Sequence, residues 1–276
     1  MDLRQEPVDH VLDQVEQRLG TALVRTGVVC KRRTVGVRTD RSSWVRVERR
    51  PWVRAREQGW GGVEAAVVLA GVAMPRWFGS VTWQDPHDRA IWQADETSLL
   101  PGQPVGGAVV AADPELPDTW WRSLNASLDA LAAQWTARVA TPDTEQITQK
   151  LIDDTIGAAF PEVQDTRVER WCPAHADLNW ANVTGPGEFC MFDWEDWGMA
   201  PYGLDSASLY AASLAVPALA DRVRTERQAD LESRDGTVMQ LFVLAKIVGP
   251  YTDPEDPRAG PARREAVQLI RALQSG

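Results

Sequence analysis

The residue types and spacings best suited to chemistry lie between positions 171 and 195. His175 and Asp177 are followed by Asn182 in the pattern H-x-D-x-x-x-x-N, and Asp193 comes sixteen residues after Asp177, behind two apolar residues. The run Gly185-Pro186-Gly187-Glu188 between Asn182 and Asp193 is a strong turn signal. This pattern predicts a hairpin that brings an amide oxygen and a carboxylate together at one end of a ribbon.

These oxygen groups suit a magnesium ion and an arriving hydroxyl. Mg²⁺ prefers oxygen ligands, takes few of them from protein and completes its shell with water and phosphate. Asn182 and Asp193 are the candidate ligands. Loop geometry predicts that Asp177 lies a few ångströms away, facing the position where an acceptor hydroxyl would arrive.

The composition is that of a folded globular protein. The 276 residues are 44% hydrophobic and 25% charged. Three cysteines without C-x-x-C spacing and three scattered histidines predict neither a disulfide framework nor a zinc or multi-histidine site. No apolar run approaches the roughly 20 residues of a membrane span, and the first residues lack a secretory pattern. We therefore expect a soluble cytoplasmic protein without a membrane partner.

Charge is distributed unevenly along the chain. Residues 1–100 carry 15 basic and 13 acidic side chains, whereas residues 101–276 carry 14 basic and 26 acidic ones. The overall charge of −10 argues against nucleic acid as a partner, because binding to phosphates needs a basic surface. The acidic half either serves solubility alone or forms a cleft that attracts a cationic ligand, and composition leaves both open.

The elements that must position the motif form an α+β pattern, a small mixed lobe at 1–96 followed by a larger helical lobe at 97–276. A helix over 8–19 precedes five strands, which form an antiparallel sheet interrupted by one short helix after Gly59. The predicted strands span 22–30, 34–39, 44–49, 75–83 and 89–94. Residues 97–116 are a predicted connector, and long helices are predicted at 117–139 and 143–159.

The motif and the order of elements together resemble the aminoglycoside phosphotransferase and choline kinase family, whose members share a two-lobed fold with the protein kinases. The resemblance is strongest over residues 171–210, which include Gly203-Leu204-Asp205 before an apolar helix. It extends in order and spacing over nearly the whole chain. The resemblance therefore implies a two-lobed kinase-like fold.

The same resemblance implies a role for each motif residue. Asp177 becomes the catalytic base or orienter, and Asn182 and Asp193 become the Mg²⁺ ligands. His175 braces the loop. Asp205 is interpreted as an N-cap or loop anchor. Two roles stay open for Glu195: a structural role, which we favour, and contact with the region of a second metal.

The third strand departs from the family pattern. Relatives place a Lys there, paired with a Glu on the following helix, to hold the α- and β-phosphates. Glu64 matches the helix position, but the strand offers only Arg46 and Arg49 as cations. Arg46 has the better register, so an Arg46–Glu64 pair is predicted, with a surface Arg as the alternative. An Arg fork can hold phosphate but does not replace an ammonium group atom for atom.

The phosphate loop and the hinge are the other two expected parts of a nucleotide site. Lys31 and Arg32 stand where relatives have a glycine-rich loop, so basic side chains are expected to replace backbone amides over the phosphates. The segment 91–96, with Ala94 near its centre, is expected to be the hinge whose backbone binds the purine edge.

The resemblance implies a Mg²⁺-dependent kinase that transfers the γ-phosphate of ATP or GTP to a hydroxyl of a small molecule. An antibiotic is the favoured acceptor, and the acidic half favours a cationic one; choline or an amino sugar is the alternative. The missing Lys and glycine loop leave a regulatory pseudokinase open, although the complete set of Asp177, Asn182 and Asp193 argues against it. A monomer and a homodimer both stay open.

Two groups of side chains are left with two interpretations each. Five tryptophans near the motif either belong to the core, which we favour, or stack on a substrate: Trp120, Trp121, Trp180, Trp194 and Trp197. Eight acids either line an acceptor site or form a solvated surface, which we favour: Asp221, Glu226, Asp230, Glu232, Asp235, Asp253, Glu255 and Asp256.

Overall fold

The chain forms two compact units. The computed structural model describes residues 2–54, 58–85, 89–249, 253 and 255–275. Unit 1 comprises Met1–Val68 and Met74–Leu100, and unit 2 comprises Leu69–Ala73 and Pro101–Gly276. Within the described residues, no helix is both long enough and apolar enough to cross a membrane.

Unit 1 contains a five-stranded antiparallel sheet. Its elements are α1 (Asp9–Leu19), β1 (Leu23–Cys30), β2 (Thr34–Thr39), β3 (Ser43–Pro51), α2 (Gly62–Ala65), β4 (Trp77–Gln84) and β5 (Ala90–Ser98). The strand order is β1-β2-β3-β5-β4, so β5 lies between β3 and β4. The five strands and the small mixed lobe confirm the prediction. The predicted helix after Gly59 contains only one short α-helical turn, α2, between two 3₁₀ turns at Gln58–Gly61 and Ala66–Val68.

One face of this sheet packs against α1. Val45 and Val47 of β3 are fully buried in one apolar cluster with Val11 and Val15 of α1. Arg46, which lies between Val45 and Val47 on β3, therefore faces the other side of the sheet, because side chains alternate along a strand. Helix α1 ends where Gly20 adopts a φ of 62° and donates its N–H to a carbonyl of the last turn.

Unit 2 is mainly helical, as predicted. Its elements are α3 (Asp118–Ala132), α4 (Gln149–Ala159), β6 (Trp171–Ala174), β7 (Gly198–Pro201), α5 (Leu204–Ser213), α6 (Pro217–Glu226), α7 (Gln228–Leu231), α8 (Arg234–Val248) and α9 (Ala259–Ser275). Helices α5 and α8 are buried along most of their length and form the centre of the unit.

The first two helices of unit 2 are shorter than predicted. Helix α4 begins only after Thr148, whose hydroxyl caps it by accepting the N–H of Leu151 at 3.2 Å. Part of the chain between α3 and α4 runs extended beside β7, where Ala140 donates its N–H to Met199 O at 3.0 Å. Gly198 permits this approach, because a Cβ there would lie only 2.5 Å from the Ala140 nitrogen.

Strands β6 and β7 pair antiparallel along their whole length. Strand β6 ends at Ala174, just before His175, and β7 begins at Gly198, a few residues after Asp193. The pairing therefore brings the start of the H-x-D loop beside the end of the segment that carries Asp193.

Candidate active site

Asp205 anchors the backbone of the loop that leaves β6. Its carboxylate accepts the N–H of His175 at 2.7 Å and that of Ala176 at 2.9 Å. Burial raises the pKa of Asp205, although the His175 charge and these two N–H donors oppose the shift. Its side chain does not cap α5, so of the two predicted roles Asp205 has that of the loop anchor.

Ala176 adopts a conformation that a residue with a side chain rarely takes. Its φ is 68°, in the left-handed region, which costs a non-glycine residue roughly 1 kcal/mol or more. The charge-assisted bond from its N–H to Asp205 offsets this cost. The loop therefore has an enforced bend immediately before Asp177.

His175 connects the loop to the segment that carries Asp193. It is fully buried, and its Nε2 lies 3.0 Å from the carbonyl oxygen of Phe192. Since a carbonyl can only accept, Nε2 carries the proton. The ring also meets the edge of Trp194, with centroids 4.7 Å apart. This is the bracing position that the resemblance implies for His175.

Two amide side chains orient Asp177. Asn182 Nδ2 donates to Asp177 Oδ2 at 2.8 Å and to its backbone oxygen at 2.8 Å. Asn179 Nδ2 donates to Asp177 Oδ1 at 3.1 Å and to the same backbone oxygen at 3.0 Å. Sequence reasoning missed Asn179, although Asn side chains commonly bond to the backbone two residues further on, as Asn179 Oδ1 does when it accepts the N–H of Ala181 at 2.9 Å.

The predicted hairpin is present between Asn182 and Asp193. Val183 pairs antiparallel with Met191, and Phe192 donates its N–H to Asn182 O at 3.0 Å. Asn182 and Asp193 therefore lie on opposite arms at the same end of the ribbon. Asp193 has a φ of 69°, also in the left-handed region, so a second enforced bend lies at the predicted metal position.

The charges at this end of the ribbon are unbalanced. Asp177 lies at the surface, yet the protein around its carboxylate displaces water, and this desolvation raises the pKa of Asp177. The nearby Asp193 charge raises it further, whereas His175 and the Asn182 hydrogen bond lower it. Two carboxylates that repel each other form the arrangement that a divalent cation would relieve.

The donor set fits Mg²⁺ rather than a softer metal. Asn182 directs its amide nitrogen to Asp177, which leaves its Oδ1 without a hydrogen-bond donor among the described residues. That oxygen and the Asp193 carboxylate are hard ligands, as Mg²⁺ prefers. Among the described residues, no group of three or more His, Cys, Asp or Glu side chains is placed to hold a metal.

Arg138 supports the chain after Asp193 and was not singled out by the sequence. Its Nε donates to Trp197 O and its Nη2 to Glu195 O, both at 3.2 Å. Burial lowers the pKa of Arg138, and the charge of Asp196 partly opposes this. The structure thus gives the Glu195 backbone a supporting contact.

In unit 1, Arg46 lies on the polar face of the sheet. It pairs with Asp95 in the register of β3 and β5, and its Nη1 lies 3.5 Å from Glu48 Oε2. Burial raises the pKa of Asp95; the Arg46 charge lowers it and the Glu64 charge raises it. Both charges are thus close to Asp95, but the Arg46–Glu64 pair stays a prediction.

The other residues predicted to bind the nucleotide lie in very different surroundings. Lys31 and Arg32 are exposed in the turn between β1 and β2, the position expected for a phosphate loop. Ala94, by contrast, is fully buried in β5, between Val47 of β3 and Val81 of β4. Ala94 lies in a central strand, where the ladder occupies its backbone groups, so this position does not favour contact with a purine edge; the assignment stays a prediction.

The tryptophans near the motif belong to the core. The five residues are at most 2% exposed: Trp120, Trp121, Trp180, Trp194 and Trp197. Two of the acids considered for an acceptor site also have internal partners. Asp230 accepts from Tyr202 and from Arg227, each at 2.6 Å, and Asp235 accepts two backbone N–H groups. Both are buried and engaged by these partners, so neither belongs to a solvated surface.

A separate cavity of about 600 Å³ opens beside β6 and the start of α5. Trp171, Tyr202, Arg227 and Asp230 are among its lining residues, whereas Asp177, Asn182 and Asp193 are not. The cavity therefore lies apart from the three oxygen groups that the sequence predicts to do the chemistry.

A profile of the phosphotransferase enzyme family APH matches residues 104–242, half of the chain. The chain belongs to this phosphotransferase family. The match includes β6, the H-x-D loop, the hairpin and α5, so the geometry described above lies within it. The protein is accordingly a phosphotransferase that acts on hydroxyl groups.

Solved structures share the fold over nearly the whole chain. A thermostable mutant of aminoglycoside phosphotransferase APH(4)-Ia is 12% identical, with a TM-score of 0.60 and coverage of 95% of this chain and 98% of that one. APH(2")-IIIa with GDP and kanamycin is 14% identical, with a TM-score of 0.58 and coverage of 98% of both.

The amicoumacin kinase hAmiN, in complex with AMP-PNP, Ca²⁺ and amicoumacin, is 11% identical, with a TM-score of 0.55 and coverage of 98% of this chain and 95% of that one. At these identities the likeness shows a common kinase-like fold. A search among curated proteins found no significant match.

Proposed function

We propose that this phosphotransferase is a Mg²⁺-dependent small-molecule kinase that transfers the γ-phosphate of ATP or GTP to a hydroxyl of an antibiotic or related natural product. One observation carries the proposal: Asp177 bonds directly to Asn182, which lies opposite Asp193 on the hairpin. Phosphoryl transfer depends mainly on positioning and charge neutralisation, so this small set of groups is sufficient.

Asn182 Oδ1 and the Asp193 carboxylate would hold the Mg²⁺. When bound, the ion neutralises charge on the nucleotide phosphates and favours departure of the leaving group. The chain prepares for it by fixing the Asn182 amide on Asp177 and by bending the backbone at Asp193.

Asp177 would orient the acceptor hydroxyl for in-line attack. As the oxygen–phosphorus bond forms and the bond to the leaving phosphate breaks, the hydroxyl proton passes to a carboxylate oxygen of Asp177. The amides of Asn179 and Asn182 hold that carboxylate in one orientation. Asp205 fixes the backbone immediately before it.

The donor nucleotide would be held by basic groups of unit 1. Arg46, with Glu64 as its proposed partner, steadies the phosphates, and Lys31 and Arg32 contribute from their exposed turn. Structures of the same fold have been solved with AMP-PNP and Ca²⁺ and with GDP, which supports a purine nucleotide and a divalent metal but leaves ATP and GTP as alternatives.

The acceptor class is proposed on two grounds. Proteins of the same fold bind kanamycin and amicoumacin. In addition, residues 101–276 carry 26 acidic and 14 basic side chains, a balance that favours a cationic acceptor.

The direct test is transfer of label from the γ-phosphate of ATP and of GTP to a panel of acceptors, with and without EDTA. The panel contains aminoglycoside, nucleoside and macrolide antibiotics together with choline and amino sugars. Transfer to an antibiotic that EDTA abolishes is the expected result. Transfer only to choline or an amino sugar would replace the antibiotic by a metabolite, and nucleotide binding without transfer to any member would favour a pseudokinase.

A further inference from the structure

Four aromatic side chains form one buried cluster that joins helix α3 to the loop and the hairpin. Trp120 contacts each of the other three. Its ring centroid lies 5.1 Å from Trp121, 6.0 Å from Trp180 in a stacked arrangement, and 5.0 Å from Phe189 edge to face. Trp120 is 1% exposed and therefore almost completely buried.

Trp120 also holds the hairpin through a hydrogen bond. Its Nε1 donates to the carbonyl oxygen of Thr184 at 2.7 Å. The following residue lies close to the same atom, since a Cβ at Gly185 would come within 3.3 Å of Trp120 Nε1. The indole of Trp180 donates in turn to Ser213 Oγ of α5 at 3.1 Å, so both indoles tie the catalytic segment to helices.

The three segments that Trp120 contacts are those that carry the site oxygens. Trp180 lies between Asp177 and Asn182, Thr184 follows Asn182 on the outgoing arm, and Phe189 precedes Asp193 on the returning arm. We propose that Trp120 is a positioning residue for the metal site, which sets the relative placement of Asn182 and Asp193. This inference rests on the function proposed above.

The physical reason is the strict geometry of the ion. Mg²⁺ demands nearly ideal octahedral coordination at about 2.0–2.1 Å, so a small loosening of one arm lowers the affinity. A site keeps such geometry only when packing and hydrogen bonds lock its supporting residues. Removing the bond from Trp120 to Thr184 would release the outgoing arm without changing any oxygen ligand.

Trp121 is a matched control for this bond. It lies next to Trp120 on α3, is 2% exposed, and contacts the rings of Trp120 and Trp180. Its indole nitrogen, however, has no hydrogen-bond partner among the described residues. Trp120→Phe and Trp121→Phe therefore remove the same atoms from the same cluster, but only Trp120→Phe removes a bond to the hairpin.

The experiment measures metal-dependent nucleotide binding, which needs no acceptor. Full-length wild type and both variants are titrated with AMP-PNP and with GMP-PNP, in Mg²⁺ and in EDTA. Bound Mn²⁺ is counted by electron paramagnetic resonance, and thermal unfolding is recorded for each protein. For Trp120→Phe, the gain in nucleotide affinity on adding metal should fall roughly three- to tenfold, the range that loss of one hydrogen bond gives. Trp121→Phe should keep the gain.

The outcomes separate the two proposals. Equal loss in the two variants, in proportion to their loss of thermal stability, would overturn the positioning role and leave a core residue. Wild type that binds nucleotide no better with metal than without it would instead overturn the proposed metal site itself. If Trp120→Phe fails to fold, Phe189→Leu removes the contact from the hairpin side and must then reduce the metal-dependent gain.

Discussion

At the scale of single residues, the site depends on amides as much as on carboxylates. Asn179 and Asn182 each donate to one oxygen of the Asp177 side chain. A carboxylate held from both sides keeps its orientation while a substrate arrives, which is the pre-organisation that makes positioning effective. Asn182 has a second use, because its remaining oxygen is a candidate metal ligand.

The role of Asp193 can be tested separately from that of Asp177. Asp193→Ala should weaken nucleotide binding in the presence of Mg²⁺ by at least ~10-fold, because even a residue that only hydrogen-bonds to a metal ligand contributes that much to metal affinity. Binding in EDTA should be unchanged. Calorimetric titration measures both. Glu188→Ala, which removes an exposed carboxylate from the turn of the same hairpin, is the control. Equal effects of the two substitutions would exclude Asp193 as a ligand.

At the scale of elements, two carboxylates hold the two ends of β6 in the same way. Asp205 of α5 accepts the N–H groups of His175 and Ala176 after the strand. Asp235 of α8 accepts those of Glu169 and Arg170 before it, at 2.9 and 2.8 Å. Only the N–H groups held by Asp205 belong to the catalytic loop. Substitutions of the two carboxylates can therefore separate an effect on stability from an effect on catalysis.

Asp205→Asn and Asp235→Asn should each lower the free energy of unfolding by about 2 kcal/mol, because a charged acceptor of two buried N–H groups is replaced by a neutral one. Only Asp205→Asn should also reduce kcat strongly, since it releases the bend before Asp177. Urea unfolding and phosphate-transfer rates measure the two effects. A kcat as low in Asp235→Asn as in Asp205→Asn would show that the anchor after β6 has no special role.

The local elements of the site could be predicted from sequence, but their tertiary partners could not. The hairpin between Asn182 and Asp193 follows from its turn residues, and β3 follows from the alternation around Arg46. The extended chain between α3 and α4 was missed because its pairing with β7 lies outside any local pattern. The central place of Ala94 in the sheet could not be predicted for the same reason, since nothing local shows that β5 becomes a central strand.

At the scale of the whole molecule, the acidic charge has a kinetic consequence. With a net charge of −10, a cationic acceptor is attracted over distances that salt shortens, since the Debye length falls from about 30 Å at 0.01 M to about 8 Å at 0.15 M. For a cationic acceptor, kcat/KM should fall roughly several-fold as the salt concentration rises over this range. A neutral acceptor should show no change; an equal fall for both would rule out steering by charge.

Acid stability should depend on the pair formed by Arg227 and Asp230. Burial alone would raise the pKa of Asp230, but Arg227, Ser206 and Tyr202 outweigh it and lower the pKa below its ordinary 3.8. The unfolded chain therefore takes up this proton first as the pH falls. The stabilisation is complete above the ordinary pKa and is lost as the pH falls through the folded one.

Asp230→Asn should accordingly cost about 3 kcal/mol at pH 7, and the difference from wild type should narrow as the pH falls below the ordinary pKa of 3.8. Urea unfolding of both proteins across this range measures the difference. A constant difference at all pH values would show that the charge of Asp230 makes no contribution.

The central claim is that Asp177 orients the hydroxyl that receives the phosphate. Its most direct test is the rate of γ-phosphate transfer to the best acceptor by wild type, by Asp177→Asn and by a surface control, Asp165→Asn. We predict that Asp177→Asn keeps its fold and its metal-dependent nucleotide affinity while turnover falls roughly 10²- to 10⁴-fold, and that the control is unchanged. Near-normal turnover in Asp177→Asn would contradict the account.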